Sequence, residues 1–213
     1  MTNLLILGAS GKIAQSAEEL LHQHKDIKLT YYLRHLNKLP EINKTWGQVI
    51  RGDVIDKTTL TQAMEFQNIV YANLAGDNIE QQAKNVVAAM KEQKVSRLIW
   101  ISTLGIYDEV PGKFGEWNNK MLGESYLPTY AAAAKVIETS NLDYTIIRPA
   151  WLQDQDEVDY EVTHKGEPFK GTEVSRKSIA SLVTDIVLDP NKYVQESLGV
   201  NKPQTDGDKP SWY

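Results

Sequence analysis

Apolar positions along the chain fall into short runs separated by longer stretches of helical period. Asn3-Leu4-Leu5-Ile6-Leu7 is an apolar run of strand length that meets two glycines three apart, Gly8 and Gly11. A helical pattern starts at once, with Ile13, Ala14, Ala17, Leu20 and Leu21 on one face. Lys28–Leu33, Gln48–Arg51 and Asn68–Leu74 predict the next strands, and Ile79, Ala83, Val86, Val87 and Met90 mark one side of a helix. Arg97–Ser102 is nearly all apolar, as expected of a strand covered on both faces. Tyr126–Ser140 predicts a helix through its Ala131–Ala134 run, and Tyr144–Arg148 predicts a sixth strand ended by Pro149. Residues 151–171 are polar and irregular, which predicts a loop or hairpin near the mouth of a site. Ser175 reads as the N-cap of a last helix that turns Ile179, Leu182, Val183, Ile186 and Val187 inward. The tail, Asn201 to Tyr213, is rich in Pro, Gly and Asp and is expected to lie extended on the surface. Strands alternating with helices predict an α/β fold: a doubly wound parallel sheet in three αβα layers, one domain over 1–213. Small elements on the substrate side are expected within about 150–213.

The first turn carries the most chemistry. Gly8-Ala9-Ser10-Gly11-Lys12-Ile13-Ala14 has the pattern G-x-x-G-x-x-A between a strand and a helix. Glycine permits the tight turn and lets a pyrophosphate approach the backbone. The free amides and positive dipole end of the helix then hold the phosphate charge. A strand-to-helix turn with no ligand is the bland alternative. In NAD-binding units a carboxylate ~20 residues past the glycines accepts from the ribose hydroxyls, whereas an arginine accommodates a 2′-phosphate. Ile27 to Pro40 contains no Asp or Glu but does contain Arg34, His35 and Lys38. Lys12 is placed to reach the same phosphate. The charge pattern therefore favours NADP(H) over NAD(H), the alternative being that Arg34 is a solvated loop residue. Asp53 and Val54 follow the third strand, where Asp53 is available to the adenine amino group; its structural alternative is an N-cap or turn carboxylate.

Composition narrows the class. The net charge is −5 with no compensating basic block, which argues against nucleic acid or an anionic membrane surface. There is no cysteine, which excludes disulfides, thiol nucleophiles and cysteine-metal sites, and no metal centre is expected. The opening residues read as a buried strand and no apolar run approaches membrane-spanning length, so a cytoplasmic location is expected.

Over essentially its whole length the chain resembles an atypical short-chain dehydrogenase/reductase of the NmrA-like, NAD(P)H-binding group, which includes proteins similar to flavin reductase/biliverdin reductase B. The resemblance rests on the glycine turn, Arg34, Gly52-Asp53-Val54, Ala72-Asn73-Leu74-Ala75-Gly76, Trp100-Ile101-Ser102-Thr103-Leu104-Gly105, Lys135 with Glu138, and Asp143-Tyr144-Thr145-Ile146-Ile147-Arg148-Pro149. It implies a Rossmann-like sheet with the cofactor across its C-terminal edge. Gly8, Ala9, Ser10, Gly11, Lys12 and Ile13 would then hold the diphosphate, with Asn73, Leu74 and Ala75 along the ribose. Ser102 and Thr103 would flank the nicotinamide, and the backbone after Arg148-Pro149 would close the pocket.

Carbonyl-reducing relatives use a tyrosine as proton donor and a lysine four residues later. Here Lys135 matches the lysine, but the tyrosine position is Ala131 and Tyr130 lies one residue too early. On a helix, positions four apart differ by roughly 40° and positions five apart by roughly 140°, so Tyr130 should not project beside Lys135. Ser102, Thr103 and Tyr107 are the substitute donors; each has a structural alternative, a backbone bond for the hydroxyls and simple packing for Tyr107. Trp117 and Trp151 are candidates for walls of an aromatic pocket, and His164 is expected to be exposed. The expected activity is NADPH-dependent reduction of a small planar acceptor: a flavin, quinone or related carbonyl. A non-catalytic NADP(H) sensor is the alternative, and a sugar-nucleotide epimerase or dehydratase fits less well. The partners expected are the small-molecule acceptor and, as an open option, a second copy in a homodimer.

Overall fold

In the computed structural model, which describes residues 1–213, ten strands and five α-helices follow one another in the expected alternation. The first half runs β1 (Thr2–Leu7), α1 (Lys12–Leu21), β2 (Ile27–Leu33), β3 (Gly47–Arg51), α2 (Lys57–Ala63), β4 (Ile69–Ala72) and α3 (Ile79–Gln93). The second half runs β5 (Arg97–Ile101), α4 (Gly112–Glu138), β6 (Asp143–Pro149), β7 (Trp151–Gln153), β8 (Glu161–His164), β9 (Glu173–Ser175), α5 (Arg176–Leu188) and β10 (Glu196–Asn201).

Eight strands form the main sheet in the order β3-β2-β1-β4-β5-β6-β10-β8. All neighbours are parallel except β8, which runs antiparallel on β10. The chain winds outward from β1 in one direction and from β4 in the other. The switch point, where an open α/β sheet forms its ligand crevice, therefore lies between β1 and β4. Alternation along β1 divides the core: Leu4 and Ile6 pack with α1 and α5, whereas Leu5 and Leu7 pack under α2, α3 and α4. This is one α/β domain of the Rossmann type, and none of its helices is long and apolar enough to cross a membrane.

The C-terminal part differs from expectation. The segment 151–171 is neither a loop nor a hairpin. β7 pairs in parallel with β9 in a separate two-stranded sheet, and β8 joins the edge of the main sheet. β10 lies inside the main sheet beside β6, in a stretch where the hydrophobic pattern predicts no element. These strands are short and mix polar with apolar residues, so periodicity alone does not mark them; their partners do. The sixth strand does end at Pro149, its last residue, opposite Val200. Ser175 does cap α5, its hydroxyl accepting from Ser178 N at 2.9 Å. The helix expected over Tyr126–Ser140 begins earlier, at Gly112, and is broken at Gly123, where φ is 74° and ψ 174°. The tail has no regular element, but it is fastened: Ser211 donates from both N and Oγ to Glu173, at 2.7 and 3.0 Å.

Candidate functional site

Two cavities open along the C-terminal edge of the sheet. The first, about 300 Å³, sits at the switch point. Its floor is the glycine turn. Gly8 has φ 74°, and a Cβ there would lie 2.3 Å from the Asn73 carbonyl oxygen. A Cβ on Gly11 would meet the Asn73 side chain at 2.1 Å. The turn thus packs flush against the end of β4, leaving space that any side chain would fill. Gly11 caps α1 and offers its amides no side-chain acceptor, and the first turn of α1 holds no acidic residue. Gln15 steadies the loop by donating to the Ser10 carbonyl at 2.9 Å. The unpaired amides of that helix end are a ready anion site.

The far end of this cleft is basic. Arg34, His35 and Lys38 line it after β2. The Arg34 guanidinium is 3.8 Å from Asp53 and remains two-thirds exposed, a loose pair that leaves its charge available. Asp53 lines the cleft and is also a turn carboxylate, accepting from Ile55 N at 3.0 Å. Val54 lines the wall beside it, and Asn73, Leu74 and Ala75 form the opposite wall. Gln82, held to the Ala75 carbonyl at 3.1 Å, and Asn78 complete that side. Ala9 and Ile13 are buried in the core below, so only their backbone faces the turn. Lys12 turns away from Arg34 and pairs with Asp154 at 2.8 Å.

The second cavity, about 380 Å³, lies over the ends of β5 and β6. Ser102, Thr103 and Pro149 line it, together with Trp151. Trp117 stands behind Trp151, their rings 4.8 Å apart, and the indole of Trp151 donates to Asn118 at 2.9 Å. Ser102 is buried, and its hydroxyl has no protein partner. Lining residues that escaped the sequence reading include Tyr126, Arg176, Trp212 and Tyr213. Tyr126 stacks on Tyr130 with centroids 4.3 Å apart, and burial together with that neighbouring phenol raises its pKa.

Two expected site residues are elsewhere. Lys135 is exposed and lines neither cavity. Within the helical segment that follows Gly123, position 131 lies roughly 140° and Lys135 roughly 180° around the axis from Tyr126, so the face that lines the pocket carries Tyr126 and neither of the other two. Tyr107 is corrected likewise. It donates to Glu138 at 2.6 Å and sits beside Ser197 Oγ at 3.1 Å, in a cluster with the buried Arg148–Glu109 ion pair. Its ring is packed and its hydroxyl satisfied, so it reaches no cavity. His164 is exposed on β8, 2.6 Å from Glu196. Tyr32, Asn78 and Gln82 also line the first cavity but have no motif to mark them, although Tyr32 lies two residues before Arg34.

Comparison with known proteins agrees with this geometry. A family model described as NAD(P)H-binding matches residues 8–190. A Rossmann-fold NAD(P)-binding family protein from Shigella flexneri is 47% identical, with TM-score 0.87, covering 99% of this chain and 98% of that one. A short-chain dehydrogenase/reductase from Veillonella parvula, solved with NADP, is 30% identical with TM-score 0.92 and covers 99% of each chain. ChuY, an anaerobillin reductase from Escherichia coli O157:H7, shares the fold at 20% identity and TM-score 0.82, over 97% of this chain and all of that one. No curated protein matches the chain. With a cradle that only glycine permits, uncapped helix amides and a matching family model, the chain belongs to the NAD(P)H-binding family.

Proposed function

We propose that this protein is an NADPH-dependent oxidoreductase that reduces a small planar acceptor, a flavin, quinone or related carbonyl. The observation that carries the reading is the pairing of two unlike cavities on one sheet edge: a polar, basic-ended cleft and an aromatic pocket floored by the unpartnered Ser102 hydroxyl. Gly8 to Ile13 hold the diphosphate through backbone amides, and Arg34 with Lys38 and His35 receives the 2′-phosphate. That NADP was found with the Veillonella relative supports this assignment. When bound, the reduced nicotinamide supplies a hydride.

The chain's own part is to orient and to hold a proton. Ser102 and Thr103 stand at the end of β5, where they flank the reacting face. Trp151 and Tyr126 wall the acceptor and exclude water. The Tyr126 phenol is kept protonated by burial, and four residues later stands Tyr130, which carries no charge to lower its pKa. Tyr126 is thus a weak proton donor, suited to acceptors whose reduced anion is delocalised rather than to a localised alkoxide. The lack of a lysine beside that phenol also favours a competing reading, a non-catalytic NADP(H) sensor.

Stopped-flow mixing of the NADPH-loaded protein with a panel of flavins and quinones separates the two. Loss of reduced-nicotinamide absorbance faster than in protein-free controls is expected. Rates equal to the controls across the panel would overturn the enzyme reading.

A further inference from the structure

Among the residues lining the aromatic pocket, Arg176 alone has a charged side chain. It is the first residue of α5, directly after the Ser175 cap, so its backbone is held by a helix and its side chain is only 25% exposed. Asp154 touches it from outside the pocket and divides its two oxygens between cations: Oδ1 lies 2.6 Å from Arg176 Nη1, and Oδ2 lies 2.8 Å from Lys12 Nζ. The trio itself carries one surplus positive charge, and the adjoining cleft that Arg176 also lines adds Glu19 and an Asp156 that pairs with Lys177. Asp154 is 59% exposed, so water screens both pairs and neither consumes the guanidinium's charge. Asp154 engages a single nitrogen of a group that has five donors in a planar fork. The rest of the fork belongs to a residue that lines a cavity otherwise walled by Trp151, Tyr126, Trp212, Tyr213 and aliphatic side chains, with Ser102 and Thr103 as its other polar side chains.

The geometry points to an acceptor that is both aromatic and acidic: a planar ring seated between the indoles and the phenol, with a carboxylate bonded to Arg176. A neutral acceptor would leave a partly desolvated cation facing an apolar ligand, which costs binding energy. A carboxylate converts that cost into a charge-assisted bond. The inference rests on the reading of this pocket as the acceptor site and deepens it by naming the acceptor's charge.

The test uses the full chain saturated with NADP⁺ and reads quenching of tryptophan fluorescence, since Trp151 and Trp212 line the cavity. Naphthoate and its neutral amide, naphthamide, differ in charge but not in ring size, and neither needs to be reduced. Naphthoate is expected to bind about ten-fold more tightly. Arg176→Met should abolish the difference, Arg176→Lys should retain part of it, and Asp154→Asn should widen it. Equal affinities in the native protein, or a preference that survives Arg176→Met, would overturn the inference. Should Arg176→Met fail to fold, Asp154→Asn decides, and a preference left unchanged counts against it. A parallel turnover assay with NADPH compares a naphthoquinone carboxylate with its carboxamide. Naphthoate preference without turnover of either quinone sinks the reductase reading and leaves the charge selection standing. Turnover that is indifferent to charge does the reverse.

Discussion

The cleft beside β1 and β2 is polar and built from short consecutive segments: the glycine turn, the end of β2, the end of β3 and the end of β4. The pocket over β5 and β6 is aromatic and gathers residues from α4, α5 and the tail, which meet only once the chain is folded. Buried charge is handled differently as well. Glu109, on the pocket side, is matched by the Arg148 guanidinium. Glu18, in the helix that begins at the glycine turn, has only the amide of Asn43 at 2.7 Å, while its other oxygen and the phenols of Tyr31 and Tyr71 lack partners. The cleft therefore depends on backbone fit at the glycine turn and lies beside a poorly matched buried carboxylate. The pocket depends on side chains brought from afar.

The sharpest way to break this contrast is Gly8→Val. A side chain there meets the Asn73 carbonyl and is strained at φ 74°. Calorimetry should register no binding of NADPH, and thermal unfolding should fall by the equivalent of about 1–3 kcal/mol. A variant that still binds would show that backbone fit at this turn is not what admits the cofactor.

Next in size is Glu18→Gln. Burial pushes the Glu18 carboxyl up to about 7, with Asn43 opposing the shift. The folded chain therefore holds this proton more tightly than the unfolded chain, whose carboxyl titrates near 4.5. The stabilisation is complete below that value, is lost as pH rises through about 7 and is constant above it. The loss is about 3 kcal/mol at most. Denaturant unfolding on either side of that window should show the fall in the native protein and a flat response in the variant, whose amide keeps the Asn43 contact.

Tyr126→Phe tests the pocket side. With quinone acceptors, turnover should drop about a hundred-fold while the affinity for NADPH stays unchanged. A variant as active as the native protein would leave the proton to solvent. The smallest expected effect is that of Arg34→Ala, which should weaken NADPH about ten-fold and leave NADH unaltered. Equal weakening of both would remove the charge argument for the 2′-phosphate.

The same contrast explains what could be read from the chain alone. β1, the glycine turn and α1 follow one another, so strand period, turn chemistry and helix start all point to one answer. Arg34 lies directly after the paired run of β2, where a charge argument suffices. Tyr126 was missed because Lys135 offered a familiar spacing and drew attention to the face of the helix that carries it. Tyr126 lies roughly 180° around the same segment, on the face that meets the pocket. β10 and β8 were missed because an edge strand such as Glu161–His164 is specified by the strand it pairs with rather than by its own apolar content. Arg176 was legible as a helix start, but nothing in its neighbours tells that it lines a cavity shared with Trp212.

By itself, the order of residues determined the alternation of strands and helices, the glycine turn and the basic residue that follows the second strand, because each is written within a few positions. Only the tertiary structure decided which phenol faces the pocket, that the tail closes it, and that one guanidinium is the sole charged side chain lining it. Those contacts join residues far apart in sequence, and their formation depends on how a kinked helix, an edge strand and a fastened tail pack against the same sheet.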